Sequence, residues 1–220
     1  MQRVQARMIN TRRIIRNFFF DLRYGGFLGL NIGAYDLFHR PGAKDAPPGE
    51  FTYNPYHWLA CLNNSDVEFL EFAFKDRIKA SDVLVDVGCG RGRVINWWLD
   101  QGFRNQIVGL ELDPNTAERT RRRLRDYSNV TITTGDAVQN IPSKGTLFFV
   151  NNPFGEPIMA AFNARLKEIS TELKNVTLLY YNPTQIAIFE QDPSWQIRIE
   201  KMPGNAVAPF HPFAVITMRR

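Results

Sequence analysis

Three groups of residues in this 220-residue sequence have the types and spacing to hold a small molecule. The first is Val83-Leu84-Val85-Asp86-Val87-Gly88-Cys89-Gly90-Arg91-Gly92. Glycine at 88, 90 and 92 lets the backbone turn tightly and approach a ligand closely, and a helix starting after Gly92 offers free N–H groups to a carboxylate. Such a loop suits an amino-acid tail, and its Gly-x-Gly-x-Gly spacing departs from the Gly-x-Gly-x-x-Gly of dinucleotide sites. The second group is Glu111, 25 residues beyond Asp86 at the end of Ile107-Val108-Gly109-Leu110-Glu111, where a carboxylate can accept both hydroxyls of a ribose. The third is Thr134-Gly135-Asp136-Ala137, in which Asp136 can accept from an adenine amino group. Cys89, inside the glycine loop, is expected to be a small packed side chain and no nucleophile.

Strands must carry these groups, and the apolar runs supply them. VLVDV at 83–87, IVGLEL at 107–112, VTITT at 130–134, TLFFV at 146–150 and VTLLYY at 176–181 alternate with helix-length segments at about 92–101, 114–126 and 156–173. Strand and helix in alternation predict a doubly wound parallel sheet. WQIRIEKM and FAVITMRR, joined by the Pro/Gly-rich PGNAVAPFHP, predict a closing antiparallel hairpin with His211 in its loop. Ahead of the sheet, Val67, Phe69, Leu70, Phe72, Ala73, Phe74 and Ile78 predict a helix over 64–79 entered from Ser65 or Asp66. Residues 1 to about 23 also read as helix, and Gly25, Gly26, Gly29 and Gly33 break it. Pro41, Gly42, Pro47, Pro48 and Gly49 form a second break before the aromatic stretch Phe51, Tyr53, Tyr56, His57 and Trp58. The chain thus divides into an extension at 1–63, expected to cover the pocket, and a main domain at 64–220.

Composition narrows the class. The two cysteines, Cys61 and Cys89, form no CxxC pair or Cys/His cluster, which argues against a disulfide framework or a metal site. No run approaches the ~20 apolar residues of a membrane span, and the N-terminus lacks a signal-peptide pattern. A cytoplasmic location is therefore the expectation. The net charge of +5 is concentrated at the start, where Arg3, Arg7, Arg12, Arg13, Arg16 and Arg23 face only Asp21. This basic arm suits a solvated helix face, or contact with a nucleic acid, an anionic lipid surface or an acidic partner. Arg119, Arg121, Arg122, Arg123 and Arg125 fall in one helical run and read most simply as its solvent face.

From Asp82 to the C-terminus the sequence resembles the class I S-adenosylmethionine-dependent methyltransferases, whose fold is Rossmann-like: a mostly parallel seven-stranded sheet with a C-terminal antiparallel hairpin. The resemblance implies S-adenosylmethionine as cofactor and S-adenosylhomocysteine as product. It implies that Asp86 with Gly88, Cys89, Gly90 and Gly92 holds the methionine part, Glu111 the ribose, and Asp136 with Ala137 the adenine.

After the fourth strand, where this superfamily places the methyl acceptor, stands Phe148-Phe149-Val150-Asn151-Asn152-Pro153-Phe154-Gly155. An amide oxygen on a Pro-stiffened turn can accept a hydrogen bond from an acceptor N–H and leave the nitrogen lone pair aimed at the methyl group, while Phe154 stacks on a planar acceptor. The run is similar to the Asn/Asp-Pro-Pro-Tyr/Phe motif of adenine-N6 and glutamine-N5 methyltransferases, with Asn152 at the first proline position. It is also similar to the Phe-Val-Asn-Asn run of histone-lysine methyltransferases that lack a SET domain. Both imply a nitrogen acceptor oriented by Asn151, in a small molecule, a protein or a nucleic-acid base. Oxygen as acceptor, with His211 as general base, and a donor-binding scaffold without turnover are the alternatives. Tyr181-Asn182-Pro183 closes the fifth strand beside the same pocket, as a substrate contact or a plain turn.

Overall fold

The computed structural model describes residues 67–151, 154–173, 175–203 and 210–219. The extension at 1–63, its basic arm and aromatic stretch, the N-cap at Ser65 or Asp66, Asn152 with Pro153, and the side chain of His211 lie outside the described residues.

Five short strands rich in β-branched, leucine and aromatic residues, β1 (Val83–Val87), β2 (Gln106–Glu111), β3 (Val130–Thr134), β4 (Leu147–Asn151) and β5 (Thr177–Tyr181), pair in parallel. The hairpin of β6 (Trp195–Pro203) and β7 (Phe210–Met218) adds to β5 antiparallel, giving one seven-stranded sheet in the order β3-β2-β1-β4-β5-β7-β6. Strand order reverses between β1 and β4, and such a reversal opens a crevice at the carboxyl ends of the strands.

Both faces of the sheet are covered, which is why its strands read as near-continuous apolar runs. Leu84, Ile107, Phe149 and Leu179 pack with α1 (Val67–Phe74), α2 (Arg93–Asp100) and α3 (Pro114–Arg123). Val85, Phe148, Leu178 and Tyr180 pack on the other side with α4 (Glu156–Leu173) and Phe189 of α5 (Ile186–Glu190). Because side chains alternate along a strand, Asp86, Glu111 and Asn151 share the face of Leu84 and Phe149. Helix α2 is buried from Val94 to Leu99, enclosed between the sheet and α1, where Phe74 meets Trp97 at 5.5 Å and Trp98 at 5.2 Å. Each such ring withdrawn from water contributes about 1.5–3 kcal/mol. Polar ties lock the layers: Trp195 Nε1 donates to Asn163 Oδ1 at 2.6 Å, and Arg77 pairs with Glu200 at 2.6 Å.

Several boundaries differ from expectation. The first helix stops at Phe74, well short of 79. Asp76 turns left-handed at φ 59, and the Arg77 guanidinium donates to the carbonyls of Phe72 and Ala73 at 2.7 and 2.9 Å. Helix α3 ends at Arg123, three residues early. The short α5 was not expected. His211 lies within β7, opposite Met202, and not in a loop. Pro212 is tolerated there because β7 has passed the last residue of β5, Tyr181, which pairs with Phe213.

Gly109 in β2 shows how closely sheet and loop are packed. A Cβ there would stand 2.8 Å from Cys89 Sγ and Ile132 Cδ1 and 2.9 Å from Ile95 Cδ1. Gly109→Ala is expected to destabilise the fold by about 1–3 kcal/mol, measured by denaturant unfolding; an unchanged midpoint would contradict this packing.

Candidate active site

Beyond Val87 the chain turns through Gly88 (φ 76), Gly90 (φ 52) and Gly92 (φ 72), a left-handed path that residues with a Cβ avoid. The end of β2 holds this path in place. Gly88 N and Cys89 N both donate to the Leu110 carbonyl at 2.9 Å, and Gly90 N donates to Glu111 Oε2 at 2.8 Å. The other carboxylate oxygen, Glu111 Oε1, accepts from Asp113 N at 2.9 Å. A carboxylate has about four lone-pair sites, so Glu111 can serve the loop and still accept from two hydroxyls. Nothing lies within 4 Å of a Cβ built on Gly90, so open space adjoins the loop there. Cys89 is buried against Gly109, and burial raises its thiol pKa, which suits packing and not nucleophilic attack.

Asp86 is 3% exposed, and its Oδ2 meets no hydrogen-bond donor among the described residues. Burial first, and the negative charge of Glu111 second, push its carboxyl up to about 8. A buried carboxylate in that position is matched by a cation, and the α-ammonium of an amino-acid ligand is one. Gly92 caps α2 with no side-chain hydrogen bond, leaving the helix N-terminus to a carboxylate. Ammonium, carboxylate and ribose of S-adenosylmethionine therefore each have a matching group in the residues present.

The third group lies alongside. Gly135 N donates to the Glu111 carbonyl at 2.9 Å, tying the turn after β3 to the end of β2. Asp136 is exposed and its Oδ1 accepts from Val138 N at 2.8 Å, while Ala137 is buried. Leu112, between Glu111 and Asp113, is an exposed apolar side chain, 56% accessible. The run IVGLEL predicts a strand through Leu112, and β2 ends one residue earlier, at Glu111.

On the far side of the crevice, Val150 pairs with Val87, so Asn151 stands level with Gly88 one strand away. Asn151 is half-buried and its Oδ1 is buried. The half-buried ring of Phe154 rests on Phe162 at 5.7 Å. Tyr181 is buried and stacked on Phe69 at 3.7 Å, which assigns it to the core; Asn182 takes φ 48 as the chain leaves β5. The arginine run is more than a solvent face. Arg119, Arg122 and Arg125 are exposed, but Arg121 bonds the Ile132 carbonyl at 3.0 Å and Arg123 reaches the glycine loop.

A family model described as a methyltransferase domain matches residues 84–177, from β1 to the first residue of β5. No curated protein matches the sequence. Among solved structures, a precorrin-6y methyltransferase from Geobacter metallireducens is 18% identical with a TM-score of 0.50, covering 70% of this chain and 87% of its own. A Podospora anserina methyltransferase bound to S-adenosylhomocysteine is 16% identical with a TM-score of 0.51, covering 70% and 78%. An O-methyltransferase from neocarzinostatin biosynthesis, solved with S-adenosylhomocysteine and 1,4-dihydroxy-2-naphthoic acid, is 15% identical with a TM-score of 0.54, covering 70% and 56%. Residues 84–177 thus match a methyltransferase domain, and the solved methyltransferase structures share its fold. No described helix is long and apolar enough to cross a membrane.

Asp86 gives the folded chain a pH signature. Its carboxyl is raised from 3.8 to about 8 on folding, so between those values the folded chain holds a proton that the unfolded chain has lost. Stability therefore falls as pH rises through that window. Asp86→Asn is expected to melt above the native protein at pH 8 and to lose that advantage near pH 4. Thermal melts at both pH values check this, and an equal gap at the two would contradict it.

Proposed function

We propose that this chain is an S-adenosylmethionine-dependent methyltransferase that acts on nitrogen, with a small-molecule or protein amine or amide as acceptor. The observation that carries the reading is the placement of Asn151: at the carboxyl end of β4, on the same sheet face as Asp86 and Glu111, level with Gly88 across the strand-order reversal. Neighbouring strands lie about 4.8 Å apart, so a group held by Asn151 adjoins whatever the glycine loop holds.

S-adenosylmethionine supplies a methyl group on a sulfonium, which a nitrogen lone pair displaces in line. The residues divide the work of positioning. Asp86 would hold the ammonium, the loop and the α2 N-terminus the carboxylate, Glu111 the ribose hydroxyls, and Asp136 with Ala137 would border the adenine. Asn151 accepts a hydrogen bond from the acceptor N–H through its amide oxygen, which turns the lone pair into the crevice. Phe154, backed by Phe162, offers a flat apolar surface that orders a planar acceptor and excludes water. With the donor bound, the new N–C bond would replace the S–C bond, and the acceptor's surplus proton would pass to solvent. Orientation and desolvation, rather than a strong base, supply the rate.

Asn151→Ala is expected to lower kcat by about 100-fold, the scale of losing one hydrogen bond made to the reacting group, with donor affinity unchanged within about threefold. Turnover assays on amines, amides, phenols and nucleic acids identify the acceptor. Methylation of oxygen acceptors alone, or full activity in Asn151→Ala, would overturn the nitrogen reading.

A further inference from the structure

The glycine loop is held from outside as well as from Glu111. Thr120 Oγ1 donates to the Gly90 carbonyl at 2.9 Å. Arg123 Nη2 donates to the Arg91 carbonyl, and Arg123 Nη1 donates to Asn96 Oδ1 at 2.7 Å. One guanidinium thus joins the loop to the first turn of α2. Thr120 and Asn96 are 2% and 4% exposed, so the bonds these two make are partly shielded from water, while the bond to the Arg91 carbonyl is exposed. The contact is close enough to restrict residue 92: a Cβ there would stand 3.1 Å from both Arg123 Nη2 and Thr120 Cγ2.

Arg123 differs from its neighbours in what it bonds. Arg121 and Arg122 pair with Glu118 at 2.5 and 2.7 Å, an ordinary ladder on a helix surface. Arg123 makes no ion pair among the described residues, and its partners are a neutral carbonyl and a neutral amide. A half-buried cation without an acid carries a desolvation cost, and here its charge stands beside the N-terminus of α2, which already favours an anion.

We propose that Arg123, assisted by Thr120, is a positioning residue for the donor: from α3 it braces the Gly90–Gly92 path and the first turn of α2 in the shape that receives the amino-acid end of S-adenosylmethionine. The inference rests on the donor site described above. Arginine suits this role because its planar fork reaches two acceptors at once, which a lysine ammonium on a flexible stem does not reproduce.

The test compares Arg123→Met, Arg123→Lys and Thr120→Val with the control Arg122→Met, which removes an exposed surface pair. In the donor-free protein, amide hydrogen exchange is followed at Gly92 and Asn96, whose N–H groups bond Cys89 O and Gly92 O at 2.7 and 2.8 Å. Exchange at both is expected to rise at least tenfold in Arg123→Met and Arg123→Lys and less in Thr120→Val, with the control within twofold of native. Calorimetric titration with S-adenosylhomocysteine is expected to show a Kd at least tenfold weaker in the two Arg123 variants. In turnover, the donor KM rises while kcat at saturating donor stays within threefold. Unchanged loop exchange overturns the brace. Faster exchange with unchanged donor Kd and KM reduces Arg123 to a structural contact and overturns its role toward the donor. A native chain that binds no donor overturns the reading of the site and this inference with it, whatever the exchange shows.

Discussion

The hydrogen bond from Gly90 N to the Glu111 carboxylate is the constraint on which the rest of the structure depends. It joins the loop leaving β1 to the end of β2, and it exists only because the two strands run parallel in a register that pairs Asp86 with Gly109 and Val87 with Leu110. Gly109 then needs to be small so that Cys89 can tuck beneath the loop, and Gly88, Gly90 and Gly92 need left-handed backbone so that the loop can cross to Glu111. The same carboxylate is the group that a ribose would find. Loop shape and ligand recognition therefore share one side chain.

That economy has an electrostatic consequence. Asp86 and Glu111 point to the same face of the sheet, one fully buried, and their proximity helps hold the Asp86 carboxyl neutral at ordinary pH. A core carboxylate with an oxygen lacking a donor is a poor contributor to stability. It makes sense as half of an ion pair whose other half arrives with the ligand. Arg123 is a comparable case on the opposite side of the loop: a charge kept among neutral acceptors where a leucine would pack more cheaply. Both costs fall beside the glycine loop, Asp86 at its start and Arg123 against the Arg91 carbonyl.

Much of this was legible in the sequence. VLVDV and VTITT delimit their strands to the residue, and the glycines at 88, 90 and 92 mark the turn that Glu111 holds, because short buried strands and tight turns leave strong local signals. Other features depend on tertiary contact. Helix α1 ends where Arg77 folds back on its carbonyls, and nothing in the local pattern marks that. His211 falls in a strand because β7 outlasts its neighbour, so that a proline-flanked loop pattern becomes the end of a ladder. Arg123 read as surface because arginines cluster there. Yet Thr116, Ala117, Thr120 and Leu124 form the buried stripe of α3, and position 123 lies on its edge. Helical spacing carried that information, and composition masked it.

The account is tested most directly by calorimetric titration of S-adenosylhomocysteine into the native chain and into Glu111→Gln, with circular dichroism to establish that both are folded. It predicts saturable one-site binding by the native chain and at least about 100-fold weaker binding by the variant, the loss of about 2.7 kcal/mol of contacts to ribose and loop together. Equal affinity in the two would show that Glu111 does not anchor the site, and the donor cradle described above would be wrong.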